Sequence, residues 1–130
     1  MSVNGFHHIA LKADDFAKTC NFYTKGLGFK EVMRWEMDDG NEAVMLDSGN
    51  DNYLEIFAGR DYEIEENGAY LHLAFSTDNC EKMIKKAEKA GAEVTMEPTE
   101  TDIPSTPVKK VKIAFCKGPD GEIIEFFQER

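Results

Sequence analysis

The stretch HIALKADDFAKTCNFYTKGLGF, residues 8–29, decides the fold because the chain repeats it. HLAFSTDNCEKMIKKAEKAGAEV, residues 72–94, aligns with it so that His8 falls on His72 and Asp14 on Asp78, both at an offset of 64. Each copy reads as an alternating strand, an aspartate that can cap a helix, and a helix that ends near glycine, at Gly26 and Gly28 or at Gly91. The sequence therefore predicts two copies of one strand, turn and helix unit.

Three further strands are predicted after each helix. They are FKEVMRWEM, NEAVML and NYLEIFAG in the first copy, and AEVTMEP, VKKVKIAFC and EIIEFFQE in the second. DDGN (38–41) and GPDG (118–121) supply turns between them. The prediction is an α+β fold of two tandem βαβββ modules, at about 4–60 and 69–129. Because the polar linker RDYEIEENG is short, both modules are expected to pack as a single domain spanning 1–130.

Composition and charge narrow the classes of function. The chain has 130 residues, of which 42% are hydrophobic and 31% charged, as in ordinary globular proteins. A net charge of -10 disfavours nucleic acid and anionic membranes as partners. Since no apolar run reaches roughly 20 residues and no signal peptide is visible, a cytoplasmic location is expected. The odd, widely spaced Cys20, Cys80 and Cys116 are predicted to be reduced core residues.

Each module carries a histidine on its first strand and a glutamate on its last. The pairs are His8 with Glu55 and His72 with Glu125, separated by 47 and 53 residues. Strand alternation directs these side chains away from apolar neighbours such as Ile9, which are expected to face the helices. Two imidazoles and two carboxylates that converge predict a site for a divalent metal ion.

Each of the four residues also has a structural interpretation. A histidine in a sheet is commonly a hydrogen-bonded structural residue, and a glutamate on a strand can discourage aggregation at a sheet edge. The matching positions in an internal repeat favour the metal site. His7 is interpreted as structural, and its side chain is expected to face the helix side or solvent.

Several motifs resemble the glyoxalase I branch of the vicinal oxygen chelate superfamily. They are FHHIALKADD, NFYTKGLGFK, YLEIF, LHLAF and KGPDGEIIEF, and together they span essentially the whole chain. The resemblance implies the fold of glyoxalases, bleomycin-resistance proteins and dioxygenases. It also implies one divalent ion per site, Ni, Co or Zn, held by His8, Glu55, His72 and Glu125. Family members of this length usually form homodimers with the site at the interface.

The resemblance further implies a reaction. A hemithioacetal of glutathione and a 2-oxoaldehyde such as methylglyoxal would be isomerised to the S-2-hydroxyacyl thiol, as in lactoylglutathione lyases. The metal would act as a Lewis acid on two adjacent oxygens while a carboxylate moves the proton. Glu125 is the predicted base, by its match to the family position, and Glu55 is the alternative. Phe57, Phe127 and Trp35 would exclude water, or are ordinary core residues.

The substrate contacts depart from the family pattern. Lys12 stands where the family typically has arginine, and Gly59, followed by Arg60, stands where it has asparagine. Lys109, with Lys110 and Lys112, would reach the carboxylates of the thiol, or is solvated strand charge. Two alternatives stay open: a related epimerase or thiol transferase with another substrate, and a metal-free binding protein of the bleomycin-resistance kind. The four ligand positions argue against the second.

Overall fold

The computed structural model of this chain describes residues 6–63 and 70–130. The chain divides into two compact units, Met1–Glu63 and Ile64–Arg130. The boundary falls in the predicted linker at 60–68, most of which lies outside the described residues. Each unit has the order βαβββ, so the predicted α+β fold is confirmed.

The first unit is a four-stranded sheet with one short helix against it. Its sheet has the strand order first, fourth, third, second, and the first and last strands are parallel neighbours while the other pairs are antiparallel. The elements are β1 (His8–Lys12), α1 (Phe16–Asn21), β2 (Lys30–Glu36), β3 (Glu42–Asp47) and β4 (Tyr53–Phe57).

The second unit repeats this arrangement. Its elements are β5 (Leu73–Ser76), α2 (Cys80–Lys89), β6 (Glu93–Ile103), β7 (Lys109–Lys117) and β8 (Ile123–Glu129). The sheet order is β5-β8-β7-β6, and β5 runs parallel to β8. β6 extends beyond its predicted end because β7 pairs with it over its whole length, up to the pair Ile103 and Lys109.

The N-terminal cap of each helix lies one residue later than predicted. The side chain of Asp15 accepts the backbone N–H of Lys18 at 3.1 Å, and that of Asn79 accepts the backbone N–H of Lys82 at 3.0 Å. The predictions of Asp14 and Asp78 as caps were therefore wrong. In each pair of polar residues, only the second directly precedes the helix, where its side chain can reach the free N–H groups of the first turn.

The first helical segment ends near glycine as expected, but its last turn is π-helical and not α-helical. After α1 the chain continues through a π-helical turn, Phe22–Gly26, and leaves it at Gly28, whose φ of 86° favours glycine. In the part of the chain that the structure describes, no helix is long and apolar enough to span a bilayer.

Each unit has its own apolar core on the helix-facing side of its sheet. The first core contains Val44, Leu46, Leu54, Ile56 and Tyr23, and the second contains Ile84, Ala87, Ala114, Ile124 and Phe126. Cys20, Cys80 and Cys116 are free and buried, as predicted. Burial raises the pKa of each thiol, to about 11 for Cys116, so these residues are packing groups and not thiolates.

The apolar side chains of β1 are less covered than predicted. Ile9 was expected to face the helices but is 48% exposed, while Leu11 is half-buried. The reason is that β1 lies at the edge of its sheet, and the helix of this unit packs over β4. Leu54 and Ile56 of β4 are fully buried as predicted.

Candidate functional site

The first unit brings His8 and Glu55 together. In the parallel pairing of β1 with β4, Ala10 lies beside Glu55, so His8 is two residues away along the same face of the sheet. The two side chains meet diagonally, with 3.4 Å between His8 Nε2 and Glu55 Oε1. The pairing of the first and last strands therefore sets this contact.

The second unit builds the same contact from its own strands. His72 lies directly before β5, and Ala74 lies beside Glu125 in the pairing of β5 with β8. The distance from His72 Nε2 to Glu125 Oε1 is 3.1 Å. The two registers match residue for residue, so the internal repeat seen in the sequence is also a repeat of side-chain geometry.

Exposure of the side chains matches between the units as well. The carboxylates of Glu55 and Glu125 are 12% and 10% exposed, whereas the imidazoles of His8 and His72 are 39% and 37% exposed. The glutamate side chains are thus mostly covered, and the histidine side chains are partly open to solvent.

The donor atoms suit a first-row divalent cation. Each pair presents an imidazole nitrogen and a carboxylate oxygen, which are common ligands of Zn, Ni and Co. Among residues 6–63 and 70–130, the structure brings no group of three or more histidine, cysteine, aspartate or glutamate side chains together. A catalytic zinc site typically uses three protein ligands, so one pair alone is an incomplete site.

Aromatic rings lie on the strands that carry both pairs. Phe57 contacts the edge of Trp35 in the first unit, with 6.4 Å between ring centroids. In the second unit the ring of Phe115 lies 5.6 Å from that of His72, and Phe127 pairs with Ile113 across β7 and β8. Phe57, Trp35 and Phe127 are all half-buried. Phe57 and Phe127 each follow the glutamate of their strand by two residues and therefore share its face of the sheet.

The predicted substrate contacts of the first unit lie at the ends of its strands. Lys12 is the last residue of β1 and is exposed. Hydrogen bonds from Asn41 hold the pKa of the Asp39 carboxyl below its usual value, and the nearby charge of Lys12 lowers it further. Arg60 is half-buried and donates through Nη1 to the carbonyl of Tyr62 at 2.9 Å.

The space beside Gly59 is filled by the side chain of Asn41, a contact that the sequence did not reveal. A Cβ at this position would lie 2.6 Å from Nδ2 of Asn41, and the φ of Gly59 is 85°. Asn41 is itself fixed, because its backbone and side-chain N–H groups both donate to Asp39. The amide of Asn41 therefore fills the space beside residue 59, a contact for which the separation of the two positions in the sequence gave no signal.

The basic residues of β7 have acidic partners within their own unit. Lys109 Nζ lies 3.0 Å from Glu129, and Lys112 Nζ lies 2.6 Å from Glu81 of α2. The hydrogen bond from Lys112 lowers the pKa of Glu81. These pairs favour the interpretation as strand charge for Lys109 and Lys112 over a role in binding substrate.

The side chain of His7 faces solvent, one of the two orientations expected for it, and it also contacts His8. Its side chain is exposed, and its Nδ1 lies 2.9 Å from Nδ1 of His8. The signal available in the sequence was the adjacency of the two histidines.

Comparison with known proteins identifies the family. The profile of the Glyoxalase/Bleomycin resistance protein/Dioxygenase superfamily matches residues 5–126. The lactoylglutathione lyase of Escherichia coli O157:H7 is 29% identical over 130 residues, which cover 95% of this chain and 91% of that protein. The uncharacterised protein YwbC of Bacillus subtilis is 31% identical over 124 residues, covering 93% of this chain and 94% of YwbC.

Structural similarity extends over the same length. The crystal structure of a glyoxalase family protein from Enterococcus faecalis has a TM-score of 0.77 and 26% sequence identity, and the match covers 98% of this chain and 99% of that one. Profile, sequence and structure agree over nearly all residues, and they agree with the resemblance of the motifs. The chain belongs to the glyoxalase, bleomycin resistance protein and dioxygenase superfamily, the vicinal oxygen chelate proteins.

Proposed function

We propose that this protein is a metal-dependent lyase of the glyoxalase I type. Its substrate would be the hemithioacetal that a thiol forms with a 2-oxoaldehyde. The observation that carries the proposal is the duplicated pair of imidazole and mostly covered carboxylate, at 3.4 Å and 3.1 Å, in matching registers of two sheets. Similarity to a lactoylglutathione lyase over 95% of the chain supports the same reaction.

The proposed ligands of one divalent ion are His8, Glu55, His72 and Glu125. Ni, Co and Zn all suit this set of donors. When bound, such an ion supplies Lewis-acid stabilisation of the negative charge that develops on two adjacent substrate oxygens.

Glu125 is the proposed base, and it would give up its contact with the metal to take part in proton transfer. It removes the proton from the carbon that carries the thiol sulfur and the hydroxyl, and returns it to the neighbouring carbon, which was the carbonyl carbon. The hydroxyl proton passes to the oxygen of that second carbon, so the product is a thioester with an adjacent hydroxyl and no redox partner is needed. Glu125 is buried against Phe115, its partner across the strands, which limits proton exchange with water.

Lys12 is the proposed cation that would bind a carboxylate of the thiol, as glutathione would require. It is exposed and offers one ammonium group, where a bidentate arginine fork would bind a carboxylate more strongly. Arg60 already donates to Tyr62, and Lys109 to Glu129. These residues offer few cations for binding the carboxylates of glutathione. A second candidate function is therefore the same proton transfer on an adduct of a different thiol that carries fewer carboxylates.

We propose further that residues 1–130 form one domain and that two copies associate. Since one pair supplies only two ligands, two units must contribute to a complete site. In the proposed homodimer, the first unit of one copy and the second unit of the other supply the four ligands.

Buried, reduced cysteines and the acidic composition support a cytoplasmic location.

A mixing experiment tests the shared site. His8→Ala and Glu125→Gln are each expected to be inactive. When both are co-expressed and the mixed dimers isolated, one site combines an intact first unit with an intact second unit, and activity returns. If all four ligands come from one chain, every site in the mixture carries one substitution, and no activity returns.

Metal reconstitution tests the function itself. Protein stripped of metal and reloaded separately with Ni²⁺ and Zn²⁺ is expected to bind one ion per four-ligand site and to isomerise the adduct of methylglyoxal and glutathione. Turnover is followed by thioester absorbance, and metal content by mass spectrometry. Bound metal without turnover would reject glutathione and favour the second candidate. Failure to bind either metal would overturn the proposal and favour a metal-free binding protein.

A further inference from the structure

His7 makes a direct ring-to-ring contact with a proposed metal ligand. Its Nδ1 lies 2.9 Å from Nδ1 of His8, within hydrogen-bonding distance, and the two rings meet edge to face with 5.2 Å between centroids. The Nε2 atom of His8 points the other way, toward Glu55 Oε1 at 3.4 Å. His8 therefore uses one ring nitrogen for His7 and presents the other to the proposed site.

The last strand of the unit holds His7 in place. The ring of His7 packs against that of Tyr53 with 5.2 Å between centroids, and the backbone N–H of Tyr53 donates to the carbonyl of His7 at 3.3 Å. Tyr53 is also the residue paired with His8 in the sheet, and its hydroxyl donates to Asp51 at 3.2 Å. His7 is thus fixed by the same strand that carries Glu55.

A hydrogen bond between two Nδ1 atoms constrains the tautomers of both rings. One ring must carry its proton on Nδ1, and the other must present a lone pair there. A histidine that binds a metal through Nε2 carries its proton on Nδ1, and such ligands commonly donate that proton to an acceptor. In the metal-binding form, His8 must therefore be the donor and His7 the acceptor, with the proton of His7 on Nε2.

We propose that His7 is a positioning residue that accepts the Nδ1–H of His8 and thereby fixes the ring orientation and tautomer in which His8 binds metal. This inference rests on the proposed function, since it takes His8 as a ligand. The second unit has Leu71 at the equivalent position, which offers no ring nitrogen to His72. The two half-sites thus differ: His8 has an imidazole acceptor before it in the chain and His72 does not.

Three variants separate the acceptor from the packing. His7→Phe keeps an aromatic ring against Tyr53 but removes the acceptor, and it is expected to weaken Zn²⁺ binding about 10–100-fold. His7→Gln restores an acceptor oxygen and is expected to recover most of that loss. Leu71→Phe introduces the same ring at the equivalent place in the second unit and is expected to leave affinity unchanged. Affinity is measured by competition with a chromogenic chelator.

A spectroscopic readout tests the hydrogen bond independently of activity. In the Zn²⁺-loaded, ¹⁵N-labelled protein, the Nδ1 proton of His8 is expected to show scalar coupling to Nδ1 of His7, while Nε2 of His8 carries no proton. The coupling is expected to be lost in His7→Phe. Absence of the coupling in a wild-type protein that binds Zn²⁺, or unchanged affinity in His7→Phe, would overturn the inference and leave the proposed function standing. A wild-type protein that binds neither Zn²⁺ nor Ni²⁺ would overturn both; if only Ni²⁺ binds, the affinities of the three variants for Ni²⁺ decide the inference.

Discussion

Replacing Glu125 with glutamine lowers the kcat of the metal-loaded protein by about 10²–10⁴-fold, the range expected when a general base is lost. Glutamine has nearly the same shape, so the packing against Phe115 and the contact with His72 are kept. Its amide cannot take up the substrate proton at neutral pH. The measurement is turnover at saturating metal and substrate, with bound metal determined on the same samples, so that lost chemistry is distinguished from lost metal.

The matched control is Glu55→Gln in the other unit. Glu55 and Glu125 occupy equivalent registers, and their side chains are 12% and 10% exposed, so the two substitutions disturb their surroundings equally. We expect Glu55→Gln to weaken metal binding and to retain much of the kcat once metal is saturating. If instead Glu55→Gln abolishes kcat and Glu125→Gln retains it, the base is Glu55.

Replacing Phe126 with alanine destabilises the fold by about 3–5 kcal/mol, as is typical when a buried phenylalanine is truncated. Phe126 is 1% exposed, packs against Phe75 at 6.3 Å between ring centroids, and its carbonyl accepts from the Cys80 thiol at 3.6 Å. With a typical urea dependence, the unfolding midpoint is expected to fall by about 2 M. Far-UV circular dichroism follows the transition.

The same variant tests whether the two units unfold together. Trp35 is the only tryptophan of the chain and lies in the first unit, whereas Phe126 lies in the second. If residues 1–130 are one cooperative domain, the unfolding midpoint measured by Trp35 fluorescence falls by the same amount as the midpoint measured by circular dichroism. Ile56→Ala, at the equivalent buried position of the first unit, is then expected to shift both signals as well. A Trp35 midpoint unmoved in Phe126→Ala would show that the units unfold separately.

Much of the fold and the pairing of the proposed ligands could be predicted from the sequence. A period of two places His8, Ala10 and Lys12 on one face, and the internal repeat indicated that His72 follows the same rule. The structure shows the consequence in the contacts of His8 with Glu55 and of His72 with Glu125. These features depend on local periodicity and on repetition, both of which are visible in a single sequence.

Features that depend on which elements meet in space could not be predicted. Ile9 is exposed because β1 is an edge strand, and Lys112 is paired because α2 presents Glu81 to β7. The surroundings of His7 depend on β4 as well, since the ring of Tyr53 packs against it beside its contact with His8. The caps are Asp15 and Asn79 and not Asp14 and Asp78, because in each copy two adjacent polar residues satisfy the same sequence pattern.

The parallel pairing of first and last strands has an evolutionary consequence. Between histidine and glutamate the chain runs 47 residues in one unit and 53 in the other, yet the two contacts differ by only 0.3 Å, from 3.4 Å to 3.1 Å. Hydrogen bonds between neighbouring strands set the contact, so insertions in the intervening hairpins leave it intact. Proteins descended from such a unit can lengthen these hairpins or exchange their side chains, and so acquire new substrates, while the histidine and glutamate keep their contact.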